Sequence, residues 1–365
     1  MSNNQLGASS SRPPQSNSED HHDNENFLSS NSEGENEPQR TGGDFRQVPP
    51  VVINGTKSQI INASIVESPL WSNVKLLHLS ENMRAREDQH FSDFLLRIGN
   101  GEEPTIENDM IRIPDSMSMP WEGEYSVDEL IRTFFTDLSA HTYDADYMQS
   151  RALITPLNDD VNKLNEKALA AFLDEEVTYY SFDSVADDTR NLYLPKFFNS
   201  LSPGNLPPHM ITLKKGSPIM LLRNIGPKIG LCNGTRLICR RFGRNLIEAE
   251  ILAGQFKGMR VFLPRILLNS AEDARMPFEM THKQFPVRLS FALTIKKSQG
   301  QTIPNVGIYL PNHAFSHGQL YVALSRGVSE KTTKVLVKNG SINGHVGIYT
   351  RNVVYKEIFA KLRSG

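Results

Sequence analysis

The chain has 365 residues, of which 38% are hydrophobic, and a formal net charge of −2 at pH 7. This length and apolar content suffice for about two domains with ordinary cores. No stretch approaches the roughly eighteen apolar residues of a membrane span, and the N-terminus lacks the apolar core of a signal peptide. The composition therefore argues against a membrane protein and predicts a soluble intracellular one.

The beginning of the chain is a distinct segment. Residues 1–40 carry seven acidic and two basic side chains and consist mostly of Ser, Asn, Gln, Glu and Pro. Such a segment cannot bury enough apolar surface to offset the entropy lost on ordering. We therefore predict a disordered low-complexity tail over residues 1–41.

Two polar motifs follow the tail. The first is Gly-Gly-Asp-Phe-Arg-Gln at residues 42–47, ahead of Val48-Pro49-Pro50. The second is Leu-Ser-Glu-Asn-Met-Arg at residues 79–84. We interpret Asp44 in the first motif as a turn residue whose carboxylate accepts hydrogen bonds from local amides.

Charge is distributed unevenly beyond these motifs. Residues 91–146 hold 3 basic and 13 acidic side chains, whereas residues 205–304 hold 16 basic and 5 acidic ones. Clustered Lys and Arg bind a phosphate backbone regardless of its sequence, with an affinity that falls with salt. The basic region therefore predicts a nucleic-acid contact, the alternative being a solvated basic surface without a partner.

A strand and a helix are predicted in succession after residue 145. Arg151–Ile154 is a short apolar run that ends at Thr155-Pro156, which is typical of a buried parallel strand. From Asn158 to Phe172 apolar side chains recur at helical spacing, with Asn158 or Asp159 as the N-cap. A strand followed by a helix is the repeating unit of an α/β domain.

Residues 213–268 have a different pattern, in which short apolar runs alternate with Gly- and Asn-containing turns. The runs are Pro218–Leu222, Arg236–Cys239, Leu246–Leu252 and Met259–Leu263. This spacing predicts a small β-barrel. Its basic loop residues either contact a nucleic-acid strand or are solvated, and they are Arg223, Lys228, Arg240, Arg241 and Arg244.

The C-terminal part holds the most informative pair of motifs. An apolar run at residues 289–293 leads into Thr-Ile-Lys-Lys-Ser-Gln-Gly-Gln-Thr at residues 294–302, which predicts a strand entering a phosphate-facing turn. Tyr-Val-Ala-Leu-Ser-Arg follows at residues 321–326. A rigidly held arginine can stabilise the charge on a transferring phosphoryl group. Together the two motifs indicate a nucleotide-driven motor.

The four motifs, in this order, resemble those of superfamily-one DNA helicases, and in particular the petite integration frequency (PIF) family, which includes the helicases of plant Helitron elements. Residues 42–47 are similar to the family's third motif and residues 79–84 to its fourth. Residues 294–302 and 321–326 are similar to its last two. Further similar segments extend the likeness over residues 42 to 350, and they are Ile61–Ser64, Trp71, Phe94–Gly99 and Leu153–Asn158.

The resemblance implies an α/β fold of the RecA-like, P-loop NTPase type, with a small SH3-like β-barrel inserted in the motor domain. It also implies five regions along the chain. They are the disordered tail at 1–41, a remnant of a first RecA-like domain with a linker at 42–145, a second RecA-like domain at 146–212 and 284–350, the barrel at 213–283, and a C-terminal tail or helix at 351–365.

Roles for individual residues follow from the same resemblance. Gln47, Arg84 and Arg326 would act on the γ-phosphate of ATP as the catalytic set. Gln299 and Gly300 would lie toward the nucleotide. The residues expected toward DNA phosphates are Thr155, Thr294, Lys297, Ser298 and Thr302.

Each of these residues also has a purely structural interpretation. Lys296 and Lys297 could face water, and Thr155 could be a turn hydroxyl. Ser298 and Thr302 could cap a helix that begins near Gln301. Arg326 could pair with a structural carboxylate.

The phosphate-binding loop of the family is not found in the sequence. No Gly-x-x-x-x-Gly-Lys-Ser/Thr pattern occurs, and Gly55–Ser58, which lacks its spacing, is interpreted as an ordinary turn. In the family this loop and the magnesium-binding acids precede the motif at 42–47, where only 41 residues stand here. We therefore expect a chain that lacks most of the first motor domain and hydrolyses little or no ATP alone. ATP and Mg²⁺ are implied by the family rather than by a site in this chain.

No metal site is assigned from the sequence. His313 and His317 have helical spacing but no third ligand, so hydrogen-bonded loop histidines are expected. Cys232 and Cys239 have no histidine close by and are interpreted as reduced thiols, buried or half-exposed.

The expected function is ATP-dependent DNA unwinding, moving 5′ to 3′ on single-stranded DNA, in DNA repair, recombination or telomere maintenance. Two alternatives remain open: a non-enzymatic single-strand-binding fragment, and a regulatory partner that supplies Arg326 to an intact helicase. Expected partners are single-stranded DNA, ATP, and an intact helicase or replication and repair proteins, without a membrane. The expected location is the nucleus, with the mitochondrion as the alternative.

Overall fold

A computed structural model describes residues 42–50, 52, 55–77, 79, 81–172, 174–185, 206–269 and 280–362. The predicted tail at 1–41 lies outside these residues. The chain divides into two compact units, Met1–Asp44 and Phe45–Gly365, and the second contains every helix and strand described below.

Helices and strands are numbered in chain order within the described ranges. The α-helices are α1 (Lys57–Asn62), α2 (Gln89–Asn100), α3 (Tyr125–Phe134), α4 (Ala145–Gln149), α5 (Asn158–Ala170), α6 (Ile295–Ser298), α7 (Gln319–Leu324) and α8 (Lys356–Leu362). The strands of the first half are β1 (Thr105–Ile106), β2 (Met110–Ile113), β3 (Ser118–Met119), β4 (Arg151–Thr155), β5 (Glu176–Tyr180), β6 (Phe182–Val185) and β7 (Met210–Lys214). Those of the second half are β8 (Pro218–Leu221), β9 (Arg236–Phe242), β10 (Leu246–Ile251), β11 (Arg260–Pro264), β12 (Ile266–Asn269), β13 (Met280–Gln284), β14 (Val287–Leu289), β15 (Ala292–Thr294), β16 (Asn305–Leu310), β17 (Thr333–Val337) and β18 (Ile348–Arg351). Among the residues described, no helix has the length and apolar character needed to cross a bilayer.

A parallel five-stranded sheet lies at the centre of Phe45–Gly365. Its strand order is β15-β4-β16-β17-β3, and every pairing is parallel. Successive residues of β4 belong to different apolar cores: Leu153 packs with α3 and α5, whereas Ile154 packs with α2 and α7. Coverage on both faces is typical of parallel sheets. The predicted strand at 151–154 and the helix after it are confirmed as β4 and α5.

The start of helix α5 differs from the prediction. Neither Asn158 nor Asp159 is the N-cap, because the helix already begins at Asn158 and Leu157 occupies the cap position without a side-chain bond. The Asn158 amide oxygen instead accepts a hydrogen bond from Arg288 Nη1 at 3.1 Å. The Asn158 side chain, which the local sequence predicted to cap the helix, therefore makes a tertiary hydrogen bond instead.

The segment Gly55–Ser58 is also not an ordinary turn. Thr56 is the N-cap of helix α1, and its hydroxyl accepts from the Gln59 backbone while the Gln59 side chain accepts from the Thr56 amide. This reciprocal pair is a capping box. The segment is thus the start of a short surface helix.

Antiparallel strands dominate the region from β5 to β14. The largest sheet has the order β11-β10-β9-β8-β14, and smaller sheets pair β12-β13-β6 and β5-β7. The four short strands predicted between residues 218 and 263 are confirmed as β8 to β11. Their inward residues, such as Leu237, Ile247 and Leu263, form a separate apolar core.

Residues before 145 contribute directly to the central sheet. Strand β3 pairs with β17, and Phe91, Phe94 and Ile98 of helix α2 lie in the core beneath α7. A boundary at residue 145 would cut through this core. The five regions expected along the chain remain predictions.

Candidate nucleotide and nucleic-acid site

The motif at residues 294–302 begins where strand β15 ends, as predicted. The Thr294 hydroxyl accepts a hydrogen bond from the Lys297 backbone at 3.2 Å and caps the single turn of α6. Gly300 has a positive φ of 82°, with no atom within 4 Å of the position of a Cβ. Residues 299–302 therefore form an open loop after α6, which we call the switch loop.

Arg326 holds the switch loop against helix α7. Its side chain is almost completely buried, at 2% exposure. Nε donates to the Val322 carbonyl at 2.9 Å, Nη1 donates to the Gln301 carbonyl at 3.1 Å, and Nη2 donates to Ser325 Oγ at 2.8 Å. In this conformation the guanidinium is directed at protein oxygens and acts as a clamp.

Arg84 approaches the same loop from the other motif. Its Nε donates to Thr302 Oγ1 at 3.0 Å and its Nη1 donates to the Ser325 carbonyl at 2.8 Å. Burial lowers the pKa of Arg84, with an opposing contribution from Tyr321. Because the side chain is only partly buried, it remains accessible at the edge of the loop.

Gln47 completes the group. Gln299 Nε2 donates to Gln47 Oε1 at 2.8 Å, which joins residues 252 positions apart in the sequence. Gly318 packs against the backbone of Arg46 and Gln47. A Cβ added to Gly318 would be 2.4 Å from the Arg46 carbonyl oxygen and 2.7 Å from the Gln47 carbonyl carbon. The fold thus brings Gln47, Arg84, Gln299, Gly300 and Arg326 around one loop, and their roles toward a nucleotide remain predictions.

His317 anchors the backbone just before Gln47. The Tyr355 amide donates to His317 Nδ1 at 2.8 Å, and His317 Nε2 lies 2.9 Å from the Phe45 carbonyl oxygen. Nδ1 must then be the acceptor, so the proton is on Nε2. The prediction of a hydrogen-bonded loop histidine is confirmed for His317, and His313 likewise contacts Thr350 Oγ1 at 3.3 Å.

The residues predicted to face DNA do not form a single exposed group. Thr155 and Ser298 have 0% exposure, and Ser298 Oγ donates to the Ile295 carbonyl at 2.8 Å. The Thr302 hydroxyl is engaged by Arg84 on the nucleotide side. The DNA roles of these residues remain predictions, and for Thr155 and Ser298 they would require a different conformation.

Lys297 is the centre of a cationic cluster. Its Nζ donates to Asn233 Oδ1 at 3.0 Å, so the loop between β8 and β9 meets helix α6 here. Burial, followed by the charges of Arg288, Lys296 and Arg223, lowers the pKa of Lys297. Like charges gathered at this junction form a candidate site for a phosphate backbone.

Sequence reasoning did not find Asn233 and Arg288 as parts of this cluster. Arg288 immediately precedes the apolar run that leads into residues 294–302, which was an available signal. Asn233 had only a turn signal. Two other basic candidates are engaged within the β-rich region, because Arg240 Nη2 lies 3.0 Å from Glu250 and Arg241 Nε lies 3.6 Å from Glu248.

No metal cluster and no disulfide accompany the site within the described ranges. Groups of three or more His, Cys, Asp or Glu able to hold a metal are absent from them. Cys232 is partly exposed and Cys239 is buried, and burial raises the pKa of the Cys239 thiol to about 12. The interpretation of both as free thiols is confirmed.

Parts of the chain are similar to known helicases. The model described as PIF1-like helicase matches residues 40–109, and the model described as DNA helicase Pif1, 2B domain, matches residues 196–242. Over these segments the chain is similar to PIF1-like helicases. The ATP-dependent DNA helicase PIF1 of Xenopus laevis is 27% identical over 300 residues, 80% of this chain and 40% of that protein. The Pif1 of Campylobacter jejuni is 26% identical over 325 residues, 86% of this chain and 65% of that protein.

Solved Pif1 helicases share the fold. The Candida albicans Pif1 structure superposes with a TM-score of 0.55 at 22% identity, covering 88% of this chain and 67% of that one. Bacteroides Pif1 in complex with ADP-AlF3 and ssDNA superposes with a TM-score of 0.57 at 20% identity, covering 88% and 65%. The chain thus spans about two thirds of these structures, and two fifths of the frog PIF1.

Proposed function

We propose that this chain provides the nucleotide-sensing and strand-binding half of a PIF1-type, ATP-dependent DNA helicase that moves 5′ to 3′. The observation that carries the proposal is the convergence of Gln47, Arg84 and Arg326 on the switch loop, which follows directly from the helix bearing Lys297. Movement of a phosphate bound by Arg84 or Gln47 would displace the switch loop. Because this loop is continuous with the helix that bears Lys297, the displacement would also move the cationic cluster.

The residues present fit part of a nucleotide site. The Arg84 guanidinium and the Gln47 amide have the donors that a γ-phosphate requires. The sequence contains no phosphate-binding loop of the Gly-x-x-x-x-Gly-Lys type, whose backbone amides and lysine hold the β- and γ-phosphates. We assign no magnesium ligand to this chain. ATP hydrolysis therefore requires a phosphate loop and magnesium-binding acids from additional polypeptide.

Two alternatives require separate tests. A non-enzymatic single-strand-binding fragment is supported by the cationic cluster around Lys297, which needs no nucleotide. A regulatory subunit that donates Arg326 to another motor is disfavoured, because the guanidinium is buried and bonded to Val322, Gln301 and Ser325.

The deciding experiment is ATP hydrolysis by the purified 365-residue chain with magnesium and saturating single-stranded DNA. We expect no DNA-stimulated phosphate release, together with DNA binding that weakens as salt rises. Arg84→Ala is the test variant, and Arg86→Ala, whose side chain is 69% exposed, is the matched control. DNA-stimulated turnover abolished in Arg84→Ala and retained in Arg86→Ala would show that the chain completes a nucleotide site by itself.

Lys297 is expected to contribute directly to strand binding. Lys297→Gln should weaken single-stranded DNA binding about five- to tenfold, and should reduce the slope of log affinity against log salt by about 0.7 for each phosphate that is no longer neutralised. Fluorescence anisotropy over a salt series measures both. Lys167→Gln is the control, because Lys167 is exposed and paired with Asp128.

The same site should give DNA binding a distinctive pH dependence. The pKa of Lys297 is lowered from 10.5, and phosphate favours the charged ammonium. Affinity should therefore be highest below the lowered pKa and should fall as pH rises through it, before ordinary lysines titrate. If the DNA affinity of Lys297→Gln falls over the same alkaline pH range as that of the unaltered chain, this assignment is contradicted.

Finer assignments are part of the same proposal. The antiparallel region, which includes the segment matched by the 2B-domain model, is proposed to be an SH3-like barrel. A plant or Helitron-like subtype is proposed from the resemblance alone. Partners among replication and repair proteins, roles in recombination and telomere maintenance, and a nuclear or mitochondrial location are proposed from the family alone.

A further inference from the structure

Residues 180–183, where β5 ends at Tyr180 and β6 begins at Phe182, have exposed aromatic and buried polar side chains. Tyr180 and Phe182 are 55% and 68% exposed, whereas Ser181 is 8% exposed and the Asp183 side chain 5%. In a strand with one buried face, aromatic side chains ordinarily lie inside. Exposed aromatic residues over buried polar ones mark a surface with a function of its own.

A buried polar cluster holds these residues in this orientation. Ser181 Oγ donates to Asp183 Oδ2 at 2.7 Å, His282 Nδ1 lies 2.6 Å from Asp183 Oδ1, and His209 Nδ1 lies 3.2 Å from Oδ2. Burial opposes the charge of Asp183, but bonds from His282 and Ser181 outweigh it and lower the pKa of the carboxyl. A one-residue shift in register would expose this cluster and bury the aromatic rings.

Pairing in two sheets, β5-β7 and β12-β13-β6, places further residues beside the two rings. Phe182 pairs with Lys283, Lys283 pairs with Leu267, and Tyr180 pairs with Met210. Paired residues point to the same face, and Leu267 and Met210 are 65% and 55% exposed. We call these five residues the aromatic face.

Positive charge accompanies the aromatic face. Lys283 is exposed within it. The Arg265 guanidinium carbon lies 5.6 Å from the centre of the Phe182 ring, and Arg265 Nη1 donates to the Tyr180 carbonyl at 2.7 Å. Glu176, which lies four residues before Tyr180 on the same side of β5, is held by Lys214 Nζ at 3.4 Å. Among the five residues of the aromatic face, two are aromatic, one is a lysine and none is a carboxylate.

We propose that the aromatic face binds single-stranded nucleic acid, with bases stacked on Phe182 and Tyr180 and phosphates near Lys283 and Arg265. The two rings are two positions apart in the chain, about 7 Å for extended backbone. Aromatic rings beside cations on an open sheet are a recurrent platform for unpaired bases. This surface is separate from the Lys297 cluster, and its observations are independent of the motor motifs.

Photocrosslinking tests the contact directly. The full chain is irradiated with an oligonucleotide that carries 5-iodouracil, and the crosslinked peptides are identified by mass spectrometry. We expect crosslinks at Tyr180 or Phe182. Crosslinks confined to other peptides would overturn the proposal.

Binding measurements supply the second test. Phe182→Ala should weaken binding of oligothymidine at least about fivefold, and Phe182→Tyr should retain it. Phe262→Ala is the matched control, because Phe262 is 64% exposed but is paired with Glu248 on another strand. Circular dichroism confirms that each variant is folded. Equal affinity of Phe182→Ala and the unaltered chain would refute the platform.

The outcomes separate this surface from the proposed motor site. Loss of binding in Lys297→Gln alone would leave the proposed function standing and remove the aromatic face as a nucleic-acid site. Loss in Phe182→Ala alone would support the aromatic face and count against the Lys297 cluster. Self-association abolished by Phe182→Ala with unchanged oligothymidine binding would identify a protein interface, which contradicts the proposal.

Discussion

Arg326→Ala is expected to lower the free energy of unfolding by about 2–4 kcal/mol. The guanidinium is 2% exposed and satisfies the carbonyls of Val322 and Gln301. Alanine would remove the donor to the Gln301 carbonyl, would leave the Val322 carbonyl with the Ser325 hydroxyl alone, and would open a cavity between helix α7 and the switch loop. Urea unfolding followed by circular dichroism measures the change as a lower midpoint.

The charge alone should not restore the clamp. Arg326→Lys is expected to remain destabilised, because an ammonium on a flexible stem cannot reproduce the planar fork that reaches several acceptors. Arg241→Ala is the control: its side chain is 83% exposed, so the change should be within about 0.5 kcal/mol. An Arg326→Ala midpoint equal to that of the control would disprove the clamp.

Gly318→Ala is expected to destabilise the protein by about 2–5 kcal/mol and to displace Gln47. Gly318 has a φ of 72°, and a Cβ would approach the Arg46 carbonyl oxygen to 2.4 Å. The left-handed conformation costs about 1–2 kcal/mol for alanine, and the contact with rigid backbone adds about 1–3 kcal/mol. Urea unfolding gives the total, and hydrogen exchange at residues 45–48 reports the local displacement.

A second glycine separates the two causes. Gly254 has a φ of 83° but nothing within 4 Å of a Cβ position. Gly254→Ala should therefore show only the conformational cost. If both alanine variants unfold at the same urea concentration, the backbone contact behind Gln47 has no energetic importance.

Local sequence determined the regular elements near the site. The apolar run at 151–154, ended by a proline, gave β4, and the helical spacing after residue 158 gave α5, because strand and helix periodicity are set by neighbouring residues. The turn-punctuated runs between 218 and 263 gave β8 to β11 for the same reason. The motifs also carried the resemblance to PIF-type helicases, because each is a short run of neighbouring residues.

Tertiary structure decided how individual side chains are used. Asn158 had a capping signal, but Arg288 is 130 residues away and takes its oxygen. Thr155 and Ser298 had the composition of phosphate contacts, yet both are buried. Arg326 had the position of a phosphate-contacting residue, and its partners are protein carbonyls. Hydrogen-bond partners that distant in sequence leave no local pattern.

Tertiary contacts also decided which side chains are exposed at residues 180–183, where β5 ends and β6 begins. The alternation of aromatic and polar residues there is a property of the sequence, and by itself it would place Tyr180 and Phe182 in a core. His209 and His282 reverse that choice, because His209 shares a hydrogen bond with Ser181 and His282 Nδ1 lies 2.6 Å from the Asp183 carboxylate. Sequence thus determined the periodicity of this segment, and only long-range pairing decided which face is exposed.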